Sequence, residues 1–245
     1  MSNGFWDFSI TFSLQEVSFS LKPNPIFDNP LGKRGKLPMK ILLHSCCAPC
    51  LLAPYDSLLE EGHEITALFH NPNIMPYREF RNRLTAFRDY AQEHSIPVMI
   101  DESYDLESLL RKYLERGATP RCLVCYEMRL DHTARMASEK GFDAFSTTLS
   151  VSPYQNHEFI QKAGESATSQ YRKPFLYRDW RPHFIEAHEK AKNLHLYLQA
   201  YCGCIFSEEE RYRKRKKYER GTRNAECGII RADVSRRSFS EGGRI

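Results

Sequence analysis

Lys40-Ile41-Leu42-Leu43-His44-Ser45-Cys46-Cys47-Ala48-Pro49-Cys50 is a short apolar run that opens directly into a cysteine-rich loop. The following residues, 51–61, place apolar side chains at helical spacing, so the stretch predicts strand, loop, helix. Moving outward, residues 64–70 are a second strand candidate, closed by the turn Asn71-Pro72-Asn73. Residues 77–95 read as a helix, 97–100 as a third short strand, and 104–116 and 121–140 as two more helices. Gly141 stands where a C-terminal cap glycine belongs. Residues 142–148 are a fourth strand candidate, and 156–171 and 183–199 are helical. Strands that alternate with helices predict an α/β fold, a parallel sheet with helices on both faces and a helical C-terminal part. In such a sheet, ligands bind beyond the carboxyl ends of the strands. Cys46, Cys47 and Cys50 fall just past the end of the first strand, which makes their loop the expected active site.

Residues 1–38 read as an extension ending in a Pro- and Gly-rich basic stretch, 39–210 as the catalytic domain, and 211–245 as a basic tail. The net charge of +4 is uneven, because the tail carries twelve Lys/Arg against four Asp/Glu while the remainder is mildly acidic. Within the tail, RYRKRKKYER at 211–220 suits a polyanionic partner such as RNA phosphates, or a solvated helix. No run of eighteen apolar residues is present, so no membrane span is expected. The first residues lack the basic start of a signal peptide, which places the chain in the cytoplasm as an expectation.

A chain of 245 residues with 41% hydrophobic residues builds its core without disulfides, so eight cysteines need another explanation. In a reducing compartment, clustered cysteines point to metal or redox chemistry. Seven of them form three groups: Cys46-Cys47-x-x-Cys50, Cys122-x-x-Cys125 and Cys202-Gly203-Cys204; Cys227 stands alone. Cys122 and Cys125 open a predicted helix, where i, i+3 spacing puts both on one face and the helix N-terminus favours thiolate. Cys47, Cys50, Cys122 and Cys125 would suit a structural zinc ion. Cys46, Cys47, Cys122 and Cys125 would equally supply the four thiolates of an iron–sulfur cluster. Spacing alone does not choose between Cys46 and Cys50. The glycine between Cys202 and Cys204 permits the tight turn that a strained, easily reduced disulfide requires. His44 reads as a strand-end hydrogen-bonding residue, Arg129 as a phosphate or substrate contact or a surface ion pair, and Tyr77 and Tyr154 as core residues or base-stacking platforms.

Four motifs in one order carry a resemblance. They are Ile41-Leu42-Leu43-His44-Ser45-Cys46-Cys47-Ala48-Pro49, Arg121-Cys122-x-x-Cys125-x-x-Arg129-Leu130, residues 142–153 (FDAFSTTLSVSP), and Tyr201-Cys202-Gly203-Cys204-Ile205-Phe206-Ser207. Together with Asn71-Pro72-Asn73-Ile74, they resemble the cobalamin-independent epoxyqueuosine reductases of the QueH family over about residues 39–207. The resemblance implies a Rossmann-like core related to the HUP and PP-loop folds. It implies a [4Fe-4S] cluster on Cys46, Cys47, Cys122 and Cys125, a redox-active disulfide pair in Cys202 and Cys204, and a second mononuclear iron at the position of Cys50. The implied reaction removes the epoxide oxygen of epoxyqueuosine, at the anticodon wobble position of tRNA, with two electrons from an unidentified donor. An ATP-using PP-loop enzyme is disfavoured, because residues 45–50 lack the glycines that let backbone N–H groups wrap phosphate.

Overall fold

The computed structural model describes residues 37–213. The predicted extension, most of the basic tail and Cys227 therefore lie outside the described residues. The elements run β1 (Lys40–His44), α1 (Ala48–Glu60), β2 (Glu64–Phe69), α2 (Tyr77–Glu93), β3 (Val98–Ile100), α3 (Leu106–Glu115), α4 (Arg121–Glu139), β4 (Ala144–Thr147), α5 (His157–Tyr171), α6 (Phe184–Asn193) and α7 (Ile205–Tyr212). A 3-10 turn at Thr148–Val151 extends β4, and another at Arg181–His183 leads into α6. The sheet has the order β3-β2-β1-β4, with every pair parallel.

This order is that of a Rossmann half-sheet. The chain steps outward from β1 to β2 and β3, then crosses back to lay β4 on the other side of β1. The order reverses between β1 and β4, and sheets of this kind bind their ligands past the carboxyl ends of the strands at such a reversal. β1 is the innermost strand of its apolar run for a simple reason: Ile41, Leu42 and Leu43 are all fully buried. Successive side chains point to opposite faces. Ile41 and Leu43 pack with Leu51, Leu58, Phe80, Phe87 and Ala191 on one face. Leu42 packs with Leu123, Leu130, Phe145, Ile160 and Ala163 on the other. Helices therefore cover both faces, as the sequence predicts.

Three differences matter for the site. Helix α1 starts at Ala48 rather than 51, with Pro49 in its first turn, where its missing N–H costs nothing. Cys50 thus rides on a helix. Helix α6 ends at Asn193 instead of running to 199. His195 takes a left-handed φ of 54°, and the N–H groups of His195 and Leu196 bond to the carbonyls of Lys192 and Ala191. This is the Schellman closure, fastened by an apolar residue just beyond it. The chain released there forms a strap, residues 194–204. Finally, α7 begins directly after Cys204, a helix that the sequence reading did not foresee. Gly141 does follow the end of α4 with a φ of 74°.

The second face is packed tightly enough to test. A Cβ built on Gly164 of α5 would lie 2.0 Å from Phe175 Cδ1, and the Phe175 ring is held against Phe145 with centroids 5.1 Å apart. Overpacking of this kind costs about 1–3 kcal/mol, which lowers the melting temperature of a domain this size by roughly 2–10 °C. Gly164→Ala is expected to show that loss in a thermal melt; an unchanged midpoint would mean that the two rings yield freely.

Candidate metal and redox site

The loop after β1 is held from three sides. Ser45 N–H donates to the Leu68 carbonyl at 2.8 Å, and Asn71 Nδ2 donates to the Ser45 carbonyl at 2.9 Å. The Cys46 N–H reaches Thr148 Oγ1 at 3.3 Å. These bonds come from β2, the Asn-Pro-Asn turn and the end of β4, so the sheet itself fixes the loop. Below it, His44 is fully buried, with Nδ1 2.9 Å from Thr147 Oγ1 and Nε2 3.2 Å from the His70 carbonyl. A carbonyl only accepts, so Nε2 carries the proton and Nδ1 accepts from the threonine hydroxyl. Burial, aided by the nearby Arg129 charge, lowers its pKa to about 3. His44 is a neutral strut with both nitrogens engaged.

The sulfurs of Cys46 and Cys47 stand 3.6 Å apart, and Cys50 completes a trio within 4.8 Å. Hydrogen bonds from Cys47 and Cys50 hold the Cys46 thiol well below its ordinary range, with Arg129 adding to the effect. Burial pushes Cys47 up to about 12, and the thiol contacts push Cys50 up as well. The trio thus gives up one proton readily and holds the next two, as three coupled acids at one place must. Gln199 of the strap donates from Nε2 to Cys47 Sγ at 3.2 Å and lies 3.9 Å from Cys50 Sγ.

Cys122 and Cys125 sit in the first turns of α4, after Pro120. They lie outside the tight trio, yet Cys125 belongs to the apolar cluster that buries Cys46 and Cys47, and Cys122 packs against that cluster. Burial pushes the Cys125 thiol up and Arg129 offsets that only in part, so burial opposes the thiolate that the helix N-terminus favours. Arg129 is itself 3% exposed, and its Nη2 donates to Cys125 Sγ at 3.0 Å. It is neither a surface ion pair nor an open phosphate contact. Burial works against its charge, and the sulfurs of Cys125 and Cys46 more than compensate, with Cys202 contributing. The charge of one guanidinium thus acts on a sulfur of each of the three cysteine groups, on Cys125 by direct contact. Among the described residues it has no carboxylate partner, so its counter-charge is sulfur.

Cys202 and Cys204 are two thiols with their sulfurs 3.8 Å apart. A disulfide needs about 2.05 Å, so the bond expected between them is not formed. Gly203 adopts a φ of 111°, the turn that the sequence anticipates. Cys202 is exposed and Cys204 buried. The Cys204 thiol, the Ser207 hydroxyl 3.0 Å away and Arg129 together lower Cys202 to about 5, while Cys204 is pushed far up. The thiolate of Cys202 is then complete at neutral pH and is lost as pH falls through about 5. Its alkylation by iodoacetamide, followed by peptide mass spectrometry under anaerobic conditions, is expected to be flat from pH 6.5 to 8 and to halve near 5. A rate that climbs up to pH 8–9 would show an ordinary thiol.

Asn156 caps α5 by accepting from Phe159 N–H, and Ser152 Oγ accepts from Tyr154 N–H. Tyr77 and Tyr154 are exposed rather than core. A further group, His70, Asp101 and His132, lies beyond β2 and β3. His70 Nδ1 bonds Asp101 Oδ2 at 2.7 Å, and its ring stacks on His132 at 3.6 Å and 8°. Parallel rings aim their lone pairs side by side rather than at one point, so this is a hydrogen-bonded stack. Sequence reasoning missed Arg83, Gln199 and Tyr113, whose side chain hydrogen-bonds Cys125. Arg129, at i+4 from Cys125, was legible as a neighbour but not as a buried one.

Comparison with solved structures finds a U34-tRNA thiolase, NcsA from Methanococcus maripaludis with its [4Fe-4S] cluster, at 15% identity and a TM-score of 0.46, over 70% of this chain and 62% of that one. Among curated proteins, the epoxyqueuosine reductase QueH of Dehalococcoides mccartyi is 34% identical over 175 residues, covering 71% of this chain and 96% of the relative. That of Acinetobacter baylyi is 35% identical, covering 69% and 80%. That of Thermotoga maritima is 32% identical, covering 74% and 96%. The family model described as epoxyqueuosine reductase QueH matches residues 41–210. That span takes in the cysteine trio, the α4 pair, Arg129 and the strap with Cys202 and Cys204, and on it the chain belongs to the epoxyqueuosine reductase QueH family.

Proposed function

We propose that this protein reduces epoxyqueuosine in tRNA to queuosine. The substrate follows from the family; what supports the redox chemistry is Arg129, a buried cation in contact with the Cys125 sulfur, without a carboxylate partner among the described residues, whose charge also acts on Cys46 and Cys202. Removing the epoxide oxygen as water and leaving an alkene takes two electrons and two protons. The electrons come from a separate donor.

The residues fit an iron–sulfur group. The donor set is all sulfur, and two buried arginines, Arg129 and Arg83, lie close enough to feel the charge of Cys46. A thiolate-bound cluster is anionic, and buried charge is tolerated only when it is compensated. Cys46, Cys47, Cys122 and Cys125 would hold a [4Fe-4S] cluster, which supplies low-potential single electrons when bound. Cys50, the remaining thiol of the trio, would be the ligand offered to a second, mononuclear iron. Gln199 donates an N–H to the Cys47 sulfur, a contact that tunes such a group from its second shell of partners. Thr148 orients the loop that presents Cys46. Cys202 presents an exposed thiolate to the solvent side, and Cys204 beside it holds its proton tightly; as the family's redox pair, these two sulfurs would pass electrons toward the substrate. No helix among the described residues is long and apolar enough to cross a membrane.

A second reading rests on one distance. The 3.6 Å between Cys46 and Cys47 sulfurs matches the edge of about 3.8 Å expected for thiolates around a single tetrahedral ion with Zn–S bonds near 2.3 Å. A zinc-stabilised RNA-binding protein would show it. Anaerobic purification decides between them: iron and acid-labile sulfide with brown colour support the reductase, while a colourless zinc protein inactive after reconstitution overturns it. The direct test is conversion of epoxyqueuosine-containing tRNA with a chemical reductant, read by nucleoside mass spectrometry.

A further inference from the structure

The strap that carries Cys202 and Cys204 is a stretch without helix or strand, and such segments hold a geometry only when something fastens them. Here the fastening is concentrated on two residues of α2. Glu79 and Arg83 are 7% and 1% exposed, a charged pair buried one helical turn apart. Arg83 Nε donates to Glu79 Oε1 at 2.7 Å. The remaining arms of the guanidinium turn to the strap: Nη2 donates to the Tyr201 carbonyl at 2.8 Å and Nη1 to the Cys202 carbonyl at 3.1 Å. The Tyr201 ring lies under the same guanidinium, 5.8 Å from Cζ. The other oxygen of Glu79 accepts from Tyr197 Oη. The residues just before α2 add two clamps, Tyr201 Oη to the Met75 carbonyl at 2.7 Å and Met75 N–H to the Gly203 carbonyl at 2.7 Å.

Burying a charged pair is costly, and an apolar pair of similar size would pack as well or better. A pair kept in spite of that cost, with its fork spent on the two carbonyls that flank a reactive cysteine, reads as a device for geometry. Only a planar fork with donors in fixed directions holds a carboxylate and two carbonyls at once. Gly203 completes the fit. A Cβ there would lie 3.0 Å from Arg83 Nη1 and 3.1 Å from Ile74 Cγ1, so the bare face of the glycine is what the guanidinium packs against.

We propose that the buried Glu79–Arg83 pair is the positioning device of the Cys202-Gly203-Cys204 turn, fixing the exposed Cys202 sulfur in its working place. Arg83 is a positioning residue: it acts through the carbonyls of Tyr201 and Cys202. The proposal rests on the reading that Cys202 takes part in turnover.

The test uses Arg83→Lys in the full chain, purified anaerobically with its metal. Lysine keeps the charge opposite Glu79 and loses the fork. The expected result is a kcat lowered about a hundredfold, the order of loss that a misplacement of about 1 Å produces, with KM and iron content as in the unaltered protein. The preference of iodoacetamide for Cys202 over Cys204 should shrink as well, which a role in stability alone would not cause. If Arg83→Lys does not fold, Gly203→Ala disturbs the same contact from the strap side and should give the same split. An unchanged kcat and labelling preference in a folded variant overturns the proposal. The underlying reading fails separately: it falls if Cys202→Ala retains turnover, whereas an inactive Cys202→Ala beside a fully active Arg83→Lys defeats only the positioning role.

Discussion

Cys202→Ala is expected to keep its iron and lose turnover by about a thousandfold or more, the scale seen when one member of a catalytic unit is removed. The physical ground is the separation of Cys202 from the trio. Its sulfur is exposed on the strap, while Cys46 and Cys47 are buried beneath the loop after β1. The strap is anchored by Arg83, whose bonds go to main-chain carbonyls that alanine retains, and by Glu79, which accepts from the Tyr197 hydroxyl. So the change removes one thiolate and leaves the remaining architecture standing. Iron and sulfide analysis beside the tRNA assay checks both halves. Loss of iron in Cys202→Ala would make this sulfur a ligand and overturn the division of roles drawn above.

Cys122→Ala is expected to do the opposite: the protein loses its cluster, its brown colour and its activity together, the last to background. A cubane held by three thiolates of the chain lacks its fourth anchor, and here the loss falls on the partly exposed member of the α4 pair, where solvent and oxygen enter. The fold should survive. Cys122 lies at the edge of the apolar cluster, and α4 is secured by Leu130, Ala134 and Ala137, all fully buried against the sheet and α5. A far-ultraviolet spectrum like that of the unaltered protein, with iron below one atom per chain, is the expected pair of readings. Full iron in this variant would point to Cys50 as the fourth ligand.

Much of the fold was legible because its signals are local. The apolar run 40–44, the Asn-Pro-Asn turn, Pro120 before α4 and Gly141 after it each act on their own few residues. The order β3-β2-β1-β4 was not legible in that way, since it depends on which edge of β1 the returning chain meets. The early end of α6 was missed because His195 carries no glycine-like signal, although it takes the left-handed conformation. At the site, the three cysteine groups were visible from spacing, but the charges among them were not. Arg129 and Arg83 look like any surface arginine in the sequence, and burial alone converts them into partners for sulfur and for a loop. At Cys125 burial likewise acts on the thiol in the direction opposite to its helix terminus.

The position of β1 in the sheet has a consequence for how the chain is made. Ile41 pairs with Ala144, so the strand that carries Cys46 and Cys47 waits for more than a hundred further residues before its second edge is covered. At about 5–20 residues per second on the ribosome, that interval lasts several seconds or more. For most of it, until residues 121–139 have been made, two adjacent thiols travel on a half-built sheet with no α4 above them. Thiols carried that long on an open sheet meet any oxidant unshielded, so synthesis in a reducing medium is expected to give more protein with its sulfurs intact.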